Sequence, residues 1–140
     1  MKGILTLLFF TYSLVVFAQQ KDSVVNLSIP NNDTTIHKIV DIKAQFPGGE
    51  KKWNDFVKSK IENHVGALIN DPRSRGTCTL QFVVNADGKI SDVVALNMQE
   101  TELARVFVKA IKKGPSWIPA KINGQNVRSL HIQKVTFKTQ

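Results

Sequence analysis

From Ile36 onward the apolar positions change period several times, and each change marks an element. Ile36, Val40, Ile42, Ala44 and Phe46 fall on even positions, with Lys38 as the exception, which predicts a short strand suited to a sheet edge. Pro47-Gly48-Gly49 breaks that period. Trp53, Phe56, Val57, Ile61, Val65 and Leu68 then form one helical stripe, with Lys51, Lys52, Asp55, Lys58 and Glu62 away from it. Gly49 can serve as the N-cap, and the Glu50 carboxylate complements the positive helix end. The helix is expected to fray near Gly66 and to finish at Asp71-Pro72.

The alternation returns in Thr77–Val84, where Cys78, Leu80 and Phe82 share a face. Asn85-Ala86-Asp87-Gly88 supplies a hairpin turn, with Gly88 able to take a positive φ. The return strand, Lys89–Leu96, is less regular, because Asp92 falls on the face of Ile90, Val94 and Leu96. Either a bulge near Ser91 resets the phase or Asp92 lies where the sheet ends.

Leu103, Val106, Phe107, Ala110 and Ile111 then predict a second amphipathic helix. Lys109, Lys112 and Lys113 crowd its negative end, and Gly114-Pro115 stops it. Trp117-Ile118-Pro119-Ala120 reads as an extended run, Asn123-Gly124 as a turn, and Val127–Phe137 as a long closing strand. The apolar phase of that strand shifts between Leu130/Ile132 and Val135/Phe137, as a twist, a bulge or an edge position would produce. Strand, helix, strand, strand, helix, strand is the order of an α+β fold, a two-layer sandwich of two helices on a small antiparallel sheet. So few strands leave at least one open edge.

The N-terminal stretch changes the expected location. Lys2, the apolar run Ile4–Phe17 and the small Ala18 have the form of a signal peptide, and the run is too short for a membrane span of roughly 20 residues. Cleavage after Ala18 would leave 122 residues starting at Gln19 and lower the net charge from +8 to +7. Residues 19–35, rich in Gln, Asn, Asp, Ser and Thr, form a linker, and residues 36–140 the domain. In a cytosolic protein this basic balance would favour nucleic acid as partner, but export and the lack of an aromatic-interleaved basic motif argue against it. An anionic envelope surface or an acidic peptide fits the charge, as does simple solubility. Cys78 is the sole cysteine, so no intrachain disulfide forms, and its apolar neighbours place it in the core.

Candidate chemistry is sparse. His37, His64 and His131 lack the spacing of a zinc site, and Gly48-Gly49 is not followed by the Lys and Ser/Thr of a phosphate loop. Carboxylates are scattered, without an acid/base pair. A Cys78–His131 nucleophile pair on adjacent strands would need an exposed thiol and a third orienting group. Trp117 could be a stacking platform, but Trp-x-Pro suits a core anchor, as the helix stripe does for Trp53. The expectation is therefore a binding protein, with no enzyme activity, cofactor or metal.

Phe46-Pro47-Gly48-Gly49-Glu50, Gly76 with Phe82-Val83-Val84, Asp87-Gly88-Lys89-Ile90, Pro115–Ala120 and Asn123-Gly124 together resemble the TonB C-terminal domain family. The resemblance runs from about residue 38 to 138. One departure is visible: family members usually carry Tyr-Pro before the central hairpin, where this chain has Val65-Gly66-Ala67-Leu68. The resemblance implies a periplasmic module in a Gram-negative envelope that grips a segment of an outer-membrane TonB-dependent receptor, or another envelope protein, by adding it as a strand. It puts the binding edge on the closing strand, at Val127, Arg128, Leu130, Ile132 and Lys134. Pro47, Gly48, Gly49, Asp87, Gly88, Trp117, Pro119, Asn123 and Gly124 are then structural motif positions. The same edge would serve a homodimer. Full transducers add an inner-membrane helix and a Pro-rich spacer. Here residues 19–46 would reach roughly 95 Å when extended and about 30 Å as a coil, so even an uncleaved N-terminal anchor would span little of an envelope.

Overall fold

The computed structural model describes residues 34–139, so the expected signal peptide and most of the linker lie outside the described residues. Phe46-Pro47-Gly48-Gly49 forms a tight turn in which the Gly49 N–H donates to the Phe46 carbonyl at 2.8 Å. Gly48 sits at φ 83° and ψ 9°, a left-handed geometry that suits glycine at the third position of such a turn. It is also the N-cap of helix α1, Gly49–Asn70, one residue earlier than the sequence suggested. α1 does not fray at Gly66. It continues to Asn70 and stops where Asp71, preceding Pro72, turns extended at φ −107°, ψ 95°.

The end of α1 is tied to the next helix through one carboxylate. Asp71 accepts hydrogen bonds from the Arg73 backbone N–H at 3.2 Å, Arg73 Nε at 3.0 Å and Ser74 Oγ at 3.2 Å, closing a 3-10 turn over Pro72–Ser74. It also accepts from the Glu102 N–H at 2.8 Å, while the buried Ser74 hydroxyl accepts from the Leu103 N–H at 3.0 Å. Both of those N–H groups belong to the first turn of helix α2, Glu102–Lys112, where they have no partner within the helix. The Glu102 N–H, followed by Arg73 and Ser74, holds the Asp71 carboxyl down to about 2. Thr101 caps the same helix, its Oγ1 accepting from the Ala104 N–H at 3.2 Å.

Strands β1, Gly76–Val84, and β2, Ile90–Ala95, form the expected hairpin. The bulge resolves the ambiguity at Asp92: the β1–β2 register shifts between Gln81 and Val83, and Asp92 takes φ 52°. As a result Ile90 packs towards the core and Val93 is buried, while Val94 and Leu96 stand on the outer face. Ile90 therefore does not share a face with Val94 and Leu96. Beyond the bulge Asn97 extends the pairing with its side chain, accepting from the Thr79 N–H at 2.7 Å and donating to the Thr77 carbonyl at 2.9 Å.

The closing strand is shorter than the alternation indicated. β3, Ala120–Ile122, and β4, Gln125–Val127, make a separate small hairpin around Asn123 and Gly124, at φ 50° and 77°. β5 then runs Ser129–Phe137, in antiparallel register with the whole of β1. Val127 therefore belongs to β4, buried opposite Ala120, and Arg128 is the break between hairpin and strand. The sheet order is β2-β1-β5.

Residues 36–46 are not a regular strand. They meet their neighbours at isolated bridges, His37 with Ser129, Ile42 with Lys121 and Gln45 with Ile118. Pro119 lies between the last two contacts and has no N–H to give a ladder. Only Ala44 of this stretch is buried; Ile36 and Ile42 are exposed.

Both helices cover one face of the sheet. Cys78, Leu80, Phe82 and Val84 from β1 meet Leu103, Val106, Phe107 and Ile111 from α2 in a single core that also holds Trp53, Leu68 and Trp117. The expected α+β sandwich is the observed fold.

An open sheet edge as candidate functional site

Which side of β5 is free follows from parity. The Leu130 N–H donates to the His37 carbonyl at 3.0 Å, so the backbone groups of Leu130 point away from β1. Residues two apart on a strand share that direction. Ile132, Lys134 and Thr136 thus turn their N–H and C=O groups outward. Among the described residues no strand pairs with them. His37 occupies only the first part of the edge, its N–H donating to the Arg128 carbonyl at 2.9 Å.

The free stretch is bordered by a trough on the helix side. One cavity of about 520 Å³ lies between β5 and the start of α1, lined by Ala44, Glu50, Trp53, Trp117, His131 and Gln133 among others. A second, of about 430 Å³, lies between Lys38–Ala44 and Ser129–Ile132, sharing Ala44 and His131 with the first. A strand laid along Ile132–Thr136 would send alternate side chains into the first cavity. The exposed Lys43, Lys134 and Lys138 surround the edge, with Glu50 the carboxylate among the trough's lining residues.

The floor of the trough is a stack of rings. Trp117 is buried, with ring centroids 5.6 Å from Phe46, 5.8 Å from Trp53, 5.0 Å from Phe82 and 4.7 Å from His131. It is a core anchor. Gly88 explains how it is held: the Trp117 N–H donates to the Gly88 carbonyl at 2.8 Å, and a Cβ on Gly88, which sits at φ 84°, would run into the Trp117 carbonyl oxygen. Asp-Gly and Trp-x-Pro, separate motifs in the sequence, are one contact in the fold. Burial keeps the His131 imidazole below its usual range. The nearby Lys43 charge acts the same way, and the hydrogen bond with Gln133 at 3.2 Å opposes both.

Of the five residues expected on the binding edge, Leu130, Ile132 and Lys134 lie on β5. Val127 and Arg128 do not. Arg128 is already engaged, donating from Nε to Asn85 Oδ1 at 2.9 Å and from Nη1 to the Thr34 carbonyl at 2.7 Å. Its task is to fasten the β1–β2 turn to the N-terminal stretch. Of the structural motif positions, Pro47, Gly48 and Gly49 build the turn into α1, Asp87 accepts from the Lys89 N–H at 2.9 Å, and Pro119, Asn123 and Gly124 shape the small hairpin. Cys78 and His131 are not brought together: Cys78 faces Val135 across the strands and His131 faces Phe82. Burial raises the thiol above its usual range, which lowers its nucleophilicity. Gln133 and the Asp71–Ser74 tie were not legible as functional or structural positions, although Asp-Pro did mark the end of α1, and Ala44 was read only as an apolar position of the expected strand.

No cluster of metal ligands occurs among the described residues, and no helix among them is long and apolar enough to cross a membrane. Residues 71–139 match the family model described as the Gram-negative bacterial TonB protein C-terminal. The matched stretch begins at Asp71, so the Pro-Gly-Gly turn and α1 precede it. No curated protein and no solved structure gives a significant match. The family is one of Gram-negative envelope proteins that bind outer-membrane receptors or other proteins and serve energy coupling in transport. Residues 71–139 are thus a domain of the TonB C-terminal family.

Proposed function

We propose that this domain is a periplasmic protein-binding module that captures an extended segment of an outer-membrane TonB-dependent receptor as an added strand on β5, in the service of energy-dependent transport. The observation that carries the reading is the row of outward backbone groups at Ile132, Lys134 and Thr136 beside an aromatic-floored trough. Main-chain bonds would supply affinity, and side chains entering the trough would supply selectivity. Lys43, Lys134 and Lys138 favour an acidic segment, and they also discourage two copies from pairing edge to edge.

The chemistry of the site is that of binding, not catalysis. Export by a signal peptide cleaved near Ala18, with a mature start at Gln19, completes the reading. Recovery of the full 140 residues in inner-membrane fractions would replace it with an anchored form. A second reading, an envelope interaction protein without energy transduction, draws support from His37–Phe46. That stretch lies against the domain, which shortens the span available for crossing an envelope.

The test is retention of receptors from an envelope extract, followed by amide exchange with a peptide from a retained receptor. Protection gained at Ile132, Lys134 and Thr136 is expected. Protection confined to the helices would overturn strand addition.

A further inference from the structure

α1 carries an anomaly on its inward line. Trp53, Val57, Lys60, His64 and Leu68 recur at the spacing of one helical face. Trp53 and Leu68 are buried, and Val57 is half-buried. Between them, where an apolar pair would close α1 onto α2, stand Lys60 and His64. A cleft of about 530 Å³ opens there.

The opposite wall repeats the charge. Arg105, Lys109 and Lys113 of α2 and its end line the same cleft, so five basic side chains border it. Its one carboxylate, Glu102, is taken up by Arg105 Nη2 at 2.7 Å. Among the described residues Lys60, Lys109 and Lys113 make no ion pair, and Lys60 is held over the Phe56 ring at 5.2 Å. Cations at the end of α2 are accounted for by its dipole. That account does not extend to Lys60 and His64, which lie in the middle of α1. The lining also includes Phe56, Val106, Ala110 and Pro115, which are apolar.

We propose that the α1–α2 cleft binds an amphiphilic anion, an acyl chain bearing a phosphate headgroup, with the chain against Phe56, Val106 and Ala110 and the phosphate between Lys60, Arg105 and Lys109. The volume falls in the range of small-ligand sites, roughly 300–1,000 Å³. Phosphate oxygens would accept charge-assisted bonds from Lys60 and Lys109, which make no ion pair among the described residues, and from the N–H groups of Arg105 that Glu102 leaves over, and they relieve repulsion across the cleft. The site is separate from β5 and does not depend on peptide capture there.

The experiment is titration calorimetry of residues 19–140 with dodecyl phosphate below its critical micelle concentration. Inorganic phosphate and the neutral dodecyl maltoside serve as separate arms. Saturable binding of dodecyl phosphate, at least about tenfold tighter than either control, is expected. The pair Lys60→Ala/Lys109→Ala, the first half-buried and the second exposed, should weaken it about tenfold or more. Ala110→Trp, which fills the cleft and keeps every charge, should weaken it as much, with circular dichroism confirming the fold of both variants. Equal binding of dodecyl maltoside, equal binding of phosphate alone, an unaffected Ala110→Trp variant, or a preference for an acidic peptide would each overturn the proposal.

Discussion

β2 and β5 flank the same central strand, yet the two outer edges of the sheet are finished in opposite ways. β2 spans six residues and is broken by a bulge at Asp92, whose positive φ twists the strand out of register. Alongside it a groove of about 690 Å³ is rimmed by Arg105, Lys109, Lys112 and Lys113. A short, bulged edge is a poor template for another strand. β5 spans nine residues in unbroken register, and its outer groups from Ile132 to Thr136 have no strand partner among the described residues. Its support is the ring stack around Trp117, which fixes the trough beside it. The lesson is that an edge offers a template for an added strand when it is long, regular and backed by rigid packing. An edge that is short and bulged is protected.

The most severe way to break the contrast is to remove the support of β5. Trp117→Ala empties the centre of the ring stack and should cost about 3–5 kcal/mol, read as a lower urea midpoint. A variant of unchanged stability that has lost partner binding would show that the ring is a recognition surface instead. Next comes Gly88→Ala, which forces a side chain into a positive φ and against the Trp117 carbonyl. About 2–3 kcal/mol should be lost on thermal melting, although residue 88 touches no part of the edge.

The contrast itself is sharpened by proline at matched positions. The Ile132 N–H points outward, so Ile132→Pro removes a donor for an incoming strand without removing a β5–β1 bond. Partner retention should be abolished while the urea midpoint moves little. Ala95 also points outward, because the Leu96 N–H donates to the Thr79 carbonyl. Ala95→Pro on β2 should leave retention unchanged, and loss of retention there would mean that β2 is the capturing edge.

The smallest effect concerns acid. The Asp71 carboxyl titrates at about 2 in the folded chain against 3.8 for an ordinary aspartate. Its contribution is therefore complete above about pH 4 and lost as pH falls towards 2. Thermal midpoints should fall across that window, and Asp71→Asn should flatten the part of the curve due to this group.

The local signals were strong wherever a residue acts through its own backbone. Gly48, Gly88 and Asn123-Gly124 take the positive φ angles that turn chemistry requires, and the apolar stripe of α2 was visible because each of its residues packs on one side. The resemblance to the TonB C-terminal domain could be seen at the same level, since its motifs are turns and an aromatic anchor.

What depends on a partner distant in sequence was not legible. Alternation alone ran Val127–Phe137 together as one strand. Only the pairing of Val127 with Ala120 shows that the chain changes partners at Arg128. The same holds for Arg128, which the resemblance put on the binding edge and whose guanidinium is spent on Asn85 and Thr34. Asp92 could be read two ways until the register with β1 fixed the bulge. The direction of the free backbone groups on β5 came from a single bond to His37, more than ninety residues earlier in the chain. Sequence determined both helices, the central hairpin, the turns and the fold class, because those follow from period and local φ. The tertiary structure decided which open edge is long and regular enough to take a strand, because register and the direction of a backbone group are set by what lies across from it.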